Sequence, residues 1–192
     1  MKTWILGLLA ACLALPVVAA EIGDDGLHKQ PWVRDTFLDL REDLDEANAE
    51  GKRLVLMVEQ RGCIYCREMH ETVYPDPELS QYIDDNFFVL QLNLHGDREI
   101  VDFDGEILSE KAAARKWGIL FTPSVIFLPE TVEEETPAVQ AAVAMMPGAF
   151  SKSTTLDMFT WVLEERYAME NGEDFQRYHA RRIKERSGAQ DQ

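Results

Sequence analysis

Two cysteines three positions apart, in Gly62-Cys63-Ile64-Tyr65-Cys66, constrain this chain more than any other feature. An apolar run, Leu54-Val55-Leu56-Met57-Val58, precedes them, and a helical segment, Arg67-Glu68-Met69-His70-Glu71, follows. This reads as a strand delivering both sulfurs to the first turn of a helix. Unpaired N–H groups and the positive end of the helix dipole lie there, and both favour thiolate over thiol at Cys63. Cys66 sits one turn along the same face, placed to resolve a mixed disulfide. A structural bridge and half of a zinc site are the competing readings. A loop this short is a poor staple, because closing it removes little chain entropy. The spacing and setting therefore favour redox chemistry.

The first twenty residues read as an export segment rather than as fold. Met1-Lys2 is a short positive start, Thr3 to Val18 carries no charge, and Val18-Ala19-Ala20 offers small residues for cleavage before Glu21. The run is short for a membrane-spanning helix. Leu9-Ala10-Ala11-Cys12 also fits a lipoprotein cleavage pattern, so two outcomes stand: soluble export to the periplasm, or a lipid anchor on Cys12. With soluble export, only Cys63 and Cys66 remain of the chain's 3 cysteines. A disulfide framework in an exported protein normally joins distant segments and uses more of them. The net charge of −16 argues against nucleic acid as a partner and against anionic lipid held by charge alone.

The remainder divides into an arm, residues 21–36, a domain over 37–186, and a tail, 187–192, expected to be disordered. Trp32 and Phe37 are expected to pack the arm onto the domain. Asp39 caps a helix carrying Leu40, Leu44 and Ala47, and Gly51 ends it. The apolar strand 54–58 leads into a helix from about Cys63 to Val73. Asp76-Pro77 opens a second helix, and Phe87 to Leu94 forms the next strand. A helical crossover between two strands makes them parallel. A turn-rich insertion, His95 to Asp104, is expected to be pinned by Ile100, Phe103 and Ile107. Ser109 caps a helix to about Trp117. Ser124–Leu128 and Val139–Met145 read as a strand hairpin, and a helix over Thr154–Ala168 covers the sheet. A further helix over 171–185 carries Phe175 and Tyr178.

This order, β–α–β, then a helix, then β–β–α, is the thioredoxin arrangement: an α/β fold with a central mixed sheet flanked by helices. The Gly62–Cys66 motif with Met69-His70, the segment Asn93-Leu94-His95-Gly96-Asp97-Arg98, Asp102-Phe103-Asp104-Gly105 and Phe121-Thr122-Pro123 resemble the periplasmic SoxW-type thioredoxins that accompany sulfur-oxidation gene clusters. The resemblance covers Trp32 to Tyr178. It implies that Cys63 attacks, that Cys66 is the buried resolving thiol, and that Pro123 is a cis-proline facing the pair. It further implies that Thr122, with Ile64 and Tyr65, meets the substrate.

The chain departs from ordinary thioredoxins in two places. Ile64-Tyr65 replaces the Gly-Pro between the cysteines, which bears on the redox poise. Met57 stands where the buried aspartate that assists the resolving thiol would fall. Glu59, two residues on and on the same strand face, is a substitute proton acceptor or, more simply, a solvated acid.

The implied activity is a Cys63–Cys66 dithiol cycle on exported cysteine-containing proteins, with no cofactor or metal. Those partners include proteins of sulfur oxidation, and a CcdA-type membrane thiol transporter supplies the electrons. A thiol oxidase stands as the alternative direction. From other classes come a redox-inactive interaction domain and a metal module using Cys63, Cys66 and His70, a residue expected on the helix surface.

Overall fold

The computed structural model describes residues 21–170 and 172–190; the expected export segment with Cys12, residue 171 and the last two residues lie outside this range. The arm contains three two-residue strands. β1 (Glu21–Ile22) and β2 (His28–Lys29) form a small antiparallel hairpin, and β3 (Val33–Arg34) joins the main sheet. Helix α1 (Leu40–Ala49) starts where Asp39 accepts from the N–H groups of Arg41 and Glu42. It ends at Gly51, whose positive φ lets Lys52 N donate back to Ala47 O.

Strand β4 (Arg53–Glu59) is buried along its whole length and delivers the cysteines to α2 (Ile64–Glu68). The expected single helix to Val73 widens after Glu68 into a π-helical turn, Met69–Val73. Helix α3 (Pro77–Asn86), capped by Asp76, leads into β5 (Phe87–Asn93), parallel to β4. A second hairpin follows, β6 (Glu99–Val101) with β7 (Ile107–Ser109), then α4 (Glu110–Lys116), capped by Ser109. Strand β8 (Ser124–Phe127) runs antiparallel to β4. Beyond it come a four-residue helix α5 (Ala138–Ala141), β9 (Ala144–Pro147), α6 (Lys152–Leu163), a 3₁₀ turn (Arg166–Ala168) and α7 (Phe175–Gln190).

The main sheet has the order β3-β5-β4-β8-β9, with the first three strands parallel. Alternation along β4 divides the core in two. Leu54, Leu56 and Val58 face α1 and α4, meeting Leu40, Leu44, Ala113 and Trp117. Val55 and Met57 face the opposite layer, meeting Met69, Val73, Tyr74, Leu79 and Phe159. Glu59 follows Met57 on that second face, beneath the helix that carries the cysteines.

Several expectations are corrected. Trp32 is buried, but Phe37 is 97% exposed, because Leu38 at positive φ turns inward in its place. Ile100 and Phe103 pin the insertion, whereas Ile107 is exposed. In place of Ile107, charge supplies the remaining hold. Buried Glu110 accepts from Asn93 N and the Arg98 guanidinium, and Gly96 approaches so closely that a Cβ there would overlap its carboxylate.

The edge strand begins at Ala144 rather than Val139, because Asp102 Oδ1 accepts from Ala138 N at 2.9 Å and starts a helix there. Helix α6 begins at Lys152, capped by Ser151, and stops at Leu163, after which Glu165 adopts positive φ. The final helix continues to Gln190, into the segment expected to be disordered. Arg186 and His179 on that helix pair with buried Asp157 of α6, tying it down.

Candidate active site

Cys63 and Cys66 form a disulfide with their Cα atoms 5.2 Å apart. The two sulfurs are not equivalent. Cys63 keeps 8% of its surface exposed, while Cys66 keeps 2% and sits inside the helix. Cys63 is the N-cap residue of α2, and its Sγ accepts from Cys66 N at 3.0 Å. Thr122 lies across from it, with its hydroxyl donating to Cys63 Sγ at 3.5 Å and its carbonyl oxygen at the same distance. The Thr122–Pro123 peptide is cis. When the bond opens, one N–H and one hydroxyl are therefore in place to hold negative charge on Cys63. Ile64, Tyr65, Leu120 and Phe121 are all more than half exposed around this rim, a density of apolar surface unusual for a soluble face.

Beneath the helix lies a buried polar chain. Glu59 and His70 are both fully buried. Of the two readings of Glu59 the solvated acid fails, as does the surface position expected for His70, and for one reason: the two groups meet, so neither is left unpaired in the core. His70 Nε2 lies 3.0 and 3.1 Å from the two Glu59 oxygens. The Gln30 amide nitrogen donates to the His70 carbonyl, which sets its orientation, so it also donates to His70 Nδ1. The proton of a neutral His70 must then sit on Nε2, directed at the carboxylate.

Gln91 donates to Glu59 at 2.6 Å and to His28 O, and accepts from Lys29 Nζ. Lys29 in turn pairs with Asp25. Burial works to raise Asp25, but the Lys29 ammonium and the Leu27 N–H outweigh it and leave its carboxyl below the usual range. Burial, with the Glu59 charge beside it, pushes the Tyr74 phenol far above its ordinary range. The arm thus supplies Gln30 and Lys29 to a chain that ends at His70, on the helical segment that continues from the cysteines. Both His70 nitrogens are engaged this way, so the cysteines and His70 do not come together as one ligand set. Among the described residues no cluster of metal-binding side chains is found. Met57, at the position of the missing aspartate, is packed in the apolar core.

A groove of about 780 Å³ opens beside the pair. Tyr65, Met69, Val73, Phe121 and Phe150 line it, with Thr122 at the edge nearest Cys63. Tyr65 and Thr122 are the substrate contacts expected from the sequence; Met69 and Phe121 entered only with the motifs that carry the resemblance, and Phe150 not at all. Phe150 follows Pro147-Gly148 more than eighty residues after the motif, and only the sheet brings it near: Phe150 N donates to Met69 Sδ at 3.4 Å.

Comparison with known proteins agrees with this architecture. Among solved structures, a thioredoxin-fold protein from Helicobacter pylori superposes with a TM-score of 0.57 at 18% identity, covering 72% of this chain and 86% of that one. A thioredoxin from Thermus thermophilus superposes with a TM-score of 0.50 at 20% identity, covering 65% and 83%. At such identities these likenesses speak for the fold alone. No curated protein matches the chain. A model of the thioredoxin-like domain matches residues 40–154, more than half of the sequence, with the cysteine pair inside the match. The chain belongs to the thioredoxin-like family, and its Cys63–Cys66 pair supports thiol–disulfide exchange as its general chemistry.

Proposed function

We propose that this protein is an exported thiol–disulfide oxidoreductase that reduces disulfides or cysteine adducts on other exported proteins. One observation carries the reading: of two joined cysteines, Cys63 is the more exposed, and it is flanked by the exposed apolar side chains of Ile64, Tyr65 and Phe121. Such a surface suits contact with another protein, which shields the reacting sulfurs from water.

In the reduced state the Cys63 thiolate attacks one sulfur of the partner's disulfide. A Cys63–partner bond forms, and the other partner sulfur leaves as a thiolate. Cys66 loses its proton and attacks Cys63 Sγ. The mixed disulfide breaks, the partner departs fully reduced, and the two electrons have moved from the Cys63–Cys66 pair to the partner. His70 follows Cys66 by four residues along the same helical segment and meets Glu59, and in this reading that buried carboxylate–imidazole pair takes up the Cys66 proton.

The export segment at residues 1–20 supports a periplasmic location. An oxidising compartment requires that a reductant be recharged, and a membrane thiol transporter of the CcdA type fits that need. The resemblance of the motifs to SoxW-type thioredoxins makes sulfur-oxidation proteins the partners to try first.

The deciding experiment is the equilibrium potential of the Cys63–Cys66 couple against glutathione, with insulin reduction measured alongside. A potential near that of thioredoxin, about −270 mV, fits a reductant; one near about −120 mV, that of a strong oxidant, reverses the direction. A bond that no mild thiol opens rejects the enzyme and leaves an interaction domain.

A further inference from the structure

A second, smaller pocket of about 410 Å³ touches Cys63 and shares no residue with the apolar groove. Arg61, Arg67, Ile22, His28 and Ile64 are among the residues around it, and no carboxylate lines it. This runs against the composition of the chain, which has 35 acidic side chains to 19 Lys and Arg.

The two guanidinium groups are held differently. Arg61 is seated by the β1–β2 hairpin: its Nη2 donates to Asp25 O at 3.3 Å. Gly26, at positive φ, leaves the space its guanidinium occupies, since a Cβ there would overlap it. Arg67 has its closest carboxylate among the described residues in Glu71, at 3.9 Å, with both side chains at least half exposed. An ion pair so long and so wet is worth little, so Arg67 keeps most of its charge for other partners.

Resting on the oxidoreductase reading above, we propose that this pocket is a specificity subsite, and that it takes an acidic side chain flanking the reactive cysteine of the partner protein. The guanidinium is a planar fork whose donors match a carboxylate two at a time, which selects for that group by geometry as well as charge. Ile22 and Ile64, both more than half exposed, give the stem of such a side chain an apolar wall. On a strongly acidic protein, most of the surface repels an acidic partner segment. A local cationic patch then fixes which way round the segment lies across Cys63.

The test uses the reduced protein and two peptides, each with one cysteine blocked as a disulfide with 2-mercaptoethanol. One peptide has Glu beside the cysteine and the other has Gln. At low salt the wild type is expected to reduce the Glu peptide about fivefold faster, as two rim-type charge contacts allow. Arg61→Gln and Arg67→Gln each lower that ratio about twofold, and Arg67→Glu turns the preference toward the Gln peptide. A wild type that reduces both peptides at one rate overturns the subsite and leaves the oxidoreductase standing. Variants that slow both peptides equally also overturn it, because the arginines would then act on the sulfur rather than on the substrate. A wild type inert toward both peptides and toward insulin overturns the oxidoreductase reading and the subsite together.

Discussion

The two flanks of Cys63 are built from neighbouring residues yet differ in kind. On one side Tyr65, Phe121 and Phe150 wall a groove that also carries Glu68 and one cation, Lys152, already paired with Asp76 at 2.9 Å. On the other, Arg61 and Arg67 face a smaller pocket with no acid in its lining. The two residues between the cysteines are divided between them: Ile64 borders the cationic pocket and Tyr65 the apolar groove. A helix turns about 100° per residue, so consecutive side chains at its first turn must point to different sides. Cys63 therefore sits on a seam, and Ile64 and Tyr65, one on each side of it, add contact surface to both flanks.

The comparison can be broken most severely at the sulfurs. Cys63→Ser is expected to abolish reduction of every substrate, whichever flank binds it, and Cys66→Ser to accumulate a covalent partner adduct visible on a non-reducing gel. A residual activity in Cys63→Ser would place the nucleophile elsewhere. Glu59→Gln should come next. It replaces an acceptor-only carboxylate with a group that brings donors toward His70 and Gln91, costing about 1–3 kcal/mol of stability in denaturant titration. It should also slow resolution of the mixed disulfide equally for substrates of both flanks. A slowing confined to one flank would mean that Glu59 acts on binding.

Tyr65→Ala separates the flanks. Loss of one exposed aromatic wall should cost a substrate with an apolar residue beside its cysteine roughly tenfold in kcat/KM, about 1.4 kcal/mol of contact, and an acidic one far less. Salt offers a gentler separation. Raising ionic strength should narrow the rate advantage of a Glu peptide over its Gln counterpart and leave apolar substrates unchanged, because the local attraction to Arg61 and Arg67 that creates the advantage is screened.

Asp43 supplies a control remote from both flanks. Burial, reinforced by the charges of Asp39, Glu46 and Glu42, raises its carboxyl from 3.8 to about 6, and its Oδ2 has no hydrogen-bond partner among the described residues. A raised carboxyl favours the fold while neutral and opposes it once charged. Asp43→Asn should therefore stabilise the protein at pH 7 by about 1–3 kcal/mol. The gain should shrink as pH falls through 6 and vanish below about 3.8. The preference between acidic and apolar substrates should not move.

How much of this was legible beforehand depends on the reach of each signal. Asp39, Asp76 and Ser109 were readable as helix caps because a cap acts on an N–H two or three residues away. Strand β4 and its hand-over to the cysteines were readable from a continuous apolar run. Glu59 and His70 were not. Each alone is an ordinary polar residue, and their meeting depends on a strand face and a π-helical turn packing together. The same holds for Ala138–Ala141, whose helix begins on a side chain 36 residues away, and for β3, which finds its place in the sheet only beside β5.

Sequence alone pointed to the chemistry: two cysteines at that spacing, after a buried strand and on a helix entrance, favour thiol–disulfide exchange, since the causes act within one turn of backbone. The tertiary structure alone decided the surroundings. It set a buried acid–imidazole pair in the core layer behind the cysteine helix, an aromatic groove on one side of Cys63 and two arginines on the other. Those depend on contacts between segments far apart in the chain, and no local pattern records which segments burial will bring together.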